Sequence, residues 1–303
     1  MIERLRQGKL MWVNMKNPTI EEVQTIMHEL DIPPALMTDI TTFVPKNTVT
    51  RAEDTIKITL DFPVIKRLNA EHQFEVKFLV SKKSLVTIHY EEMEAIDRFK
   101  RQFEVASTLR KTQKGITGAH IFISLFNNLY DSALSKLDYI ETKLADIESE
   151  IFKENEKFMV YEISNISKQL IAFRHTVRGH EDILRDMAQQ FEDIYGNVFA
   201  RDFHMIRTQY SLLQHMANTQ FETMTALRET NSAMLFTKQN EVIKTLTTLA
   251  FITFPLTLFS SMFGMNTEST PIIGHPFDFW IIVGSMSIAA TGFFIYFKRK
   301  GWM

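Results

Sequence analysis

The chain has 303 residues, 45% of them hydrophobic and 23% charged, with a formal net charge of -2. That length accommodates about two domains, and so balanced a charge gives no reason to expect a nucleic-acid partner. There is no cysteine, which excludes disulfides and thiolate metal sites.

Residues 1–30 carry Glu, Arg and Lys throughout and lack an apolar core, so the expectation is no signal peptide and an amino terminus in the cytosol. Residues 1–105 read as a small α/β domain. Residues 10–15 are a short strand candidate. Asn17-Pro18-Thr19 then opens a helix in which Thr19 caps and Glu22 completes a capping box. Ile20, Val23, Ile26, Met27 and Leu30 are its expected apolar face, Asp31-Ile32-Pro33-Pro34 stops it, and a second short helix is predicted over residues 34–42. Ile56, Ile58, Leu60 and Phe62 alternate with polar residues, as do Val76, Phe78 and Val80, and residues 85–89 follow a hairpin loop at 81–84. The pattern predicts a half-buried sheet covered by helices. The domain has no Gly-rich phosphate loop, no cysteine nucleophile and no His cluster with metal-ligand spacing, and His28, His72 and His89 read as surface or structural residues.

From Gly118 the period changes. Ile123, Phe126, Tyr130, Ala133, Leu137, Ile140, Leu144, Ile147 and Ile151 fall at steps of three and four, and Ile163, Ile166, Leu170, Phe173 and Val177 do the same. Two long antiparallel helices are expected, with the turn at residues 158–162. The first carries Asp138, Glu141, Asp146, Glu148, Glu150, Glu154 and Glu156, read as a solvated acidic face. His175 and His180 are five apart and do not share a helix face as zinc ligands would.

After a break at Tyr195-Gly196-Asn197 the chain runs to Phe263 with no glycine and only Pro255, predicting one helix of about 65 residues, close to 100 Å long. Most of it must be a stalk. Its last part, from Thr245 to Phe263, has no ionisable side chain; about 19 residues match a hydrocarbon core near 30 Å. Coiled-coil steps from Asn240 give Asn240, Ile243, Thr247, Ala250, Phe254, Thr257, Ser261 and Gly264, a seam of small or polar residues interrupted by Ile243 and Phe254. Such a seam can pack helix on helix or line water. A second apolar run, Phe279 to Phe297, ends in Lys298-Arg299-Lys300-Gly301-Trp302. By the positive-inside rule both termini are cytosolic and the intervening loop, with Glu268 and Asp278, is outside. The expected segments are 1–105, 106–196, 197–266, 267–278, 279–297 and 298–303.

Gly264-Met265-Asn266 at the outer end of the first of two C-terminal helices, preceded by Asn240-Glu241-Val242 and Phe254-Pro255-Leu256-Thr257 and followed by the basic terminus, resembles the CorA family of divalent-cation transport proteins. Asn17-Pro18-Thr19-Ile20-Glu21-Glu22 and Leu85-Val86-Thr87-Ile88-His89 resemble that family's cytosolic domain, so the likeness covers nearly the whole chain. It implies an α/β cytosolic domain, a long helical stalk and two transmembrane helices, assembled as a funnel-shaped homopentameric magnesium channel that also passes cobalt or nickel. It further implies that Asn266 forms an outer selectivity ring shaped by Gly264 and Met265, that Glu268 sits near the outer mouth, and that Asn240, Thr257 and the seam between them line the pore. Where this chain has Ile243 and Phe254 the family commonly has methionine. The family's regulatory site uses a stalk carboxylate; His204-Met205-Ile206-Arg207 offers none, which leaves Asp202, Glu53 and Asp54 as candidate acids and weak inhibition by internal magnesium as the expectation.

The residues independently require several copies for any pore, since one helical hairpin cannot enclose a water path. Two other readings compete. One is a zinc transporter of the same fold, coupled to protons through Glu268, His275 and Asp278, although the two apolar runs contain no Asp, Glu or His for a relay. The other is a membrane-tethered scaffold that conducts nothing. No nucleophile, base and oxyanion-donor set suggests an enzyme.

Overall fold

The computed structural model describes residues 1–40, 47–63, 74–109, 116–153, 155–265, 272, 274 and 276–302. The chain divides into two units, Met1–Arg228 and Glu229–Met303.

In the first unit six strands form one sheet in the order β1-β2-β6-β5-β4-β3. They are β1 (Ile2–Gln7), β2 (Leu10–Lys16), β3 (Thr48–Ala52), β4 (Thr55–Phe62), β5 (Phe74–Val80) and β6 (Ser84–His89). Only β2 and β6 pair in parallel; every other neighbour is antiparallel. The four internal strands are those the alternation predicts. The two edge strands, β1 and β3, are additions to that expectation.

Helix α1 (Ile20–Glu29) starts as its sequence dictates: the Glu22 amide donates to Thr19 Oγ1 at 3.2 Å and the Thr19 amide to Glu22 Oε2 at 2.9 Å, closing the capping box. Val23, Ile26 and Met27 are buried, whereas Ile20 is exposed. Ile20 is the first helical residue, beyond the edge of the patch the next turn covers. After the Pro pair only a 3-10 turn forms, Pro34–Met37; residues 41 and 42 of the expected short helix lie outside the described residues.

The sheet is not half-buried. Every residue of β4, β5 and β6 is buried, Lys57, Thr59, Asp61, Glu75 and Lys77 included. One face packs on helices α2 (Glu94–Leu109) and α3 (Gly118–Phe152), with Trp12 between Phe99 and Phe103 and Phe78 against Phe122. Aromatic pairs of this kind add about 0.5–1.5 kcal/mol each beyond area burial. The other face packs over β2 and β6 on Val23, Ile26 and Met27 of α1. Its polar half over β4 and β5 is covered by the segment after the 3-10 turn, where Lys57 Nζ donates to Thr38 O and Lys77 Nζ to Asp39 O.

Helix α3 ends at Phe152 and the next helix starts at Glu156, so residues 158–162 lie within a helix and are not the turn. Helix α4 (Glu156–Arg178) begins at once, the Phe158 and Met159 amides donating to Asn155 O. Buried Met159 carries the seam across the gap between Ile151 and Ile163, while Phe158 and Tyr161, within the expected turn, are exposed. A second break separates α4 from α5 (His180–Tyr195) at Gly179. There Asn47 Nδ2 donates to Gly179 O, and a Cβ on Gly179 would stand 2.7 Å from that nitrogen. Gly196, in the left-handed region at φ +64, ends α5 where the sequence predicts a break.

The junction of α4 and α5 is tied to β4 by polar groups. His180 is wholly buried, with Nε2 donating to Asp61 O at 2.6 Å and Nδ1 paired with the Tyr130 hydroxyl at 2.9 Å. Burial pushes its pKa down to about 4. The Asp61 amide donates to Asn47 Oδ1, but carboxylate Oδ1 of Asp61 has no hydrogen-bond partner among the described residues; burial, with neighbouring Glu75 adding, pushes that pKa up to about 6. A carboxylate with a raised folded pKa contributes stability that is present below its unfolded value and lost as pH rises through about 6. Asp61→Asn is therefore expected to raise thermal stability more at about pH 8 than at about pH 5, the difference being about 1 kcal/mol. A stability difference that stays constant with pH would refute this cause.

Candidate ion pathway

Helix α6 (Ala200–Phe263) is a single helix of 64 residues, about 96 Å at 1.5 Å per residue, and it passes through Pro255 unbroken. In the second unit it is joined by α7 (Asp278–Arg299). Both helices are long and apolar enough to cross a membrane, and their most apolar windows are almost wholly exposed within the chain, so neither is the core helix of a water-soluble fold.

α7 covers one side of α6. Lys244 Nζ donates to Gly301 O just past the end of α7, Phe251 and Phe297 rings lie 6.2 Å apart, and Thr248 is fully buried. With Pro255, these residues follow steps of three and four, a second stripe on α6 that the sequence shows but that was not read from it. The candidate seam runs elsewhere: at 3.6 residues per turn Phe254, Thr257 and Ser261 centre about 120° around the helix from Lys244, Thr248, Phe251 and Pro255. Asn240, Ile243, Phe254, Thr257, Ser261 and Gly264 are exposed, Phe254 to 72%, while Thr247 and Ala250 are half-buried at its margin.

The hydroxyl of Thr257 donates to Thr253 O at 2.9 Å, as those of Thr248 and Thr253 donate to the carbonyls four residues back. Once its proton is committed to the backbone, the Thr257 oxygen presents lone pairs outward, which suits a hydrated cation. The Gly264 amide donates to Ser260 O and the Met265 amide to Met262 O, closing the helix. Asn266, Glu268 and His275 lie outside the described residues. Asp278 begins α7, its carboxylate accepting from the Gly274 and Phe279 amides.

The candidate regulatory acids lie at two places in the first unit. Glu53 and Asp54 make the two-residue turn between β3 and β4, Glu53 in the left-handed region at φ 51. Asp54 accepts from Lys82 Nζ at 2.7 Å, which holds its carboxyl below the usual range. Asp202 lies in the first turn of α6, near His120. Among the described residues no three His, Asp or Glu side chains are grouped to hold a metal ion.

Residues 7–299 match the family described as CorA-like Mg2+ transporter protein. The cobalt/magnesium transport protein CorA of Thermotoga maritima is 20% identical, the alignment covering 96% of this chain and 83% of that one. The magnesium transport protein CorA of Helicobacter pylori is 22% identical over 99% of this chain and 92% of its own. Among solved structures, the complete CorA magnesium transporter from Methanocaldococcus jannaschii superposes with a TM-score of 0.81 at 19% identity, covering 99% of this chain and 93% of that chain. The cytoplasmic domain of ZntB from Vibrio parahaemolyticus gives 0.60 at 12% identity, covering 75% and 88%. With an α/β unit, a long stalk and two C-terminal membrane helices matched from end to end, the chain belongs to the CorA-like Mg2+ transporter family, a family of membrane metal-ion transporters and not of enzymes.

Proposed function

We propose that this chain forms a homopentameric pore for membrane-potential-driven uptake of magnesium, also passing cobalt or nickel, with α6 of each copy lining the path. The observation that carries this reading is the exposed stripe of small and polar residues on the side of α6 away from α7. A hairpin whose second helix covers one side leaves that stripe for other copies around an axis. Magnesium gives up its waters reluctantly, and the uncharged run offers no carboxylate to replace them. A ring of Asn266 amides with Gly264 and Met265 beside it hydrogen-bonds the hydrated ion instead. Two positive charges in about 100 mV gain roughly 4.6 kcal/mol inward, so uptake needs no ATP.

In this reading the protein lies in the cell membrane with both termini in the cytosol, the basic residues 298–300 at the inner surface and Glu268 at the outer mouth. Residues 1–105 are the cytosolic domain, 106–196 the helical hairpin, 197–266 the stalk and first span, 267–278 the outer loop, 279–297 the second span and 298–303 the basic tail. The zinc reading rests on Glu268, His275 and Asp278 as proton carriers, with a likeness of fold to ZntB beside it.

Purified protein in liposomes with an inside-negative potential is expected to take up Mg2+ regardless of a pH gradient, and to run as a pentamer in mild detergent. Flux of Zn2+ only, and only with a pH gradient, would replace this reading with the zinc one. A monomer or dimer that still conducts would remove the pentamer. Loading the vesicles with magnesium addresses Asp202, Glu53 and Asp54: strong closure that survives all three alanine substitutions would rule out both a latch on these acids and weak inhibition.

A further inference from the structure

The face of β3 and β4 that lies under the segment after the 3-10 turn holds a buried cation that forms no ion pair among the described residues. Lys77 of β5 is ion-paired to Glu75 at 2.9 Å and also donates to Asp39 O and Ile40 O. Lys57 is only 7% exposed, yet its ammonium makes a single hydrogen bond, 2.6 Å to Thr38 O, and pairs with no carboxylate among the described residues. An ammonium has three donors, and a buried charge left without a partner costs several kcal/mol. Burial depresses the pKa of Lys57 and Lys77 depresses it further, with Asp39 opposing.

Lys57 lines a cavity of about 300 Å3 together with Thr38, Thr48, Thr50 and Thr59. The sheet register explains the grouping: Thr48 is directly opposite Thr59, and Thr50 opposite Lys57, so all four project from one face. The hydroxyls of Thr48, Thr50 and Thr59 bond no other protein group among the described residues. Asp39, whose backbone is held in the left-handed region at φ 59, supplies the one carboxylate in the lining.

We propose that this cavity binds a phosphoryl anion, either inorganic phosphate or the phosphate of a small monoester, with Lys57 as its counter-charge and the hydroxyls of Thr48, Thr50 and Thr59 as donors. Three rotatable hydroxyls and an ammonium match the several acceptor oxygens of a tetrahedral anion better than the two of a carboxylate or the single sphere of chloride. The volume is at the small end for ligand pockets, enough for phosphate with a short substituent. A divalent metal is excluded by the two lysines beside the cavity. The site belongs wholly to the first unit and does not depend on the pore reading.

Calorimetric titration of the full-length protein in detergent with inorganic phosphate, and separately with adenosine monophosphate, tests the site, with chloride at matched ionic strength as the control. Saturable binding of one or both is expected, and the tighter of the two identifies the source of the phosphoryl group. Lys57→Met is expected to weaken binding about tenfold or more. Thr59→Val is expected to weaken it several-fold with cooperative unfolding retained, which keeps the test open if Lys57→Met does not fold. No saturable binding, equal binding by both variants and the parent, or the same binding signal with chloride would overturn the proposal.

Discussion

Asn266→Ala is expected to reduce selective magnesium uptake by about a hundredfold while leaving the assembly intact. The size follows from symmetry. If five copies each contribute one amide to the hydrated ion, a loss of about 0.5 kcal/mol per copy sums to roughly 2.5 kcal/mol, and a modest excess over that reaches two decades. The side chain supplies both an acceptor and a donor, so in the proposed pore alanine would remove the whole polar ring. Flux of purified variant in liposomes, with particle mass measured on the same sample, checks both halves. Near-normal flux would mean that Asn266 serves only to end the helix.

Gly118→Ala is expected to be the most damaging small change to the fold, costing about 3 kcal/mol or more. A Cβ there would stand 2.1 Å from Ser84 O and 2.4 Å from Ser81 O, both backbone atoms of the hairpin between β5 and β6. That hairpin is stiff: the Ser81 amide donates to Ser84 O, and the Ser81 and Ser84 hydroxyls lie 2.9 Å apart. The start of α3 and the hairpin would have to separate. Gly264→Ala is the useful comparison, because its nearest atom would be Ser260 O at 3.4 Å, an ordinary contact. Thermal unfolding in detergent should drop sharply for the first variant and barely move for the second; equal effects would show that the crowding at Gly118 relaxes cheaply.

What could be read from the residues was what local chemistry or strict periodicity fixes. The capping box at Thr19 and Glu22 is complete within four residues, and α6 declares itself by the lack of glycine between Gly196 and Gly264. Edge strands carry weaker signals. One side of each of β1 and β3 has no neighbour and little is buried, so Arg4, Arg6, Thr48 and Thr50 alternate without an apolar face. The alternation in β4 and β5 gave the apolar face correctly but not the burial of the polar one, because Lys57 and Lys77 are covered by a segment that reaches them through its backbone carbonyls. The break at Gly179 depends on Asn47, 132 residues earlier, and no local pattern records it. In the candidate pathway the seam was legible from its spacing, but its direction was not: that is set by Lys244, Thr248 and Phe251 meeting α7.

The junction between β4 and α5 also fixes how the first unit trades protons with water. His180, depressed to about 4, contributes stability that is present above its ordinary value of 6.5 and lost as pH falls through about 4. Asp61, raised to about 6 from 3.8, does the reverse over nearly the same interval. Between about pH 4 and 6 the folded chain holds a proton on Asp61 and the unfolded chain holds one on His180. Unfolding there hands a proton from a carboxyl to an imidazole, with almost no net exchange with the buffer. Two groups whose burial is individually costly thus make this junction nearly indifferent to mild acidification, and replacing either one alone would expose the acid or base sensitivity of the other.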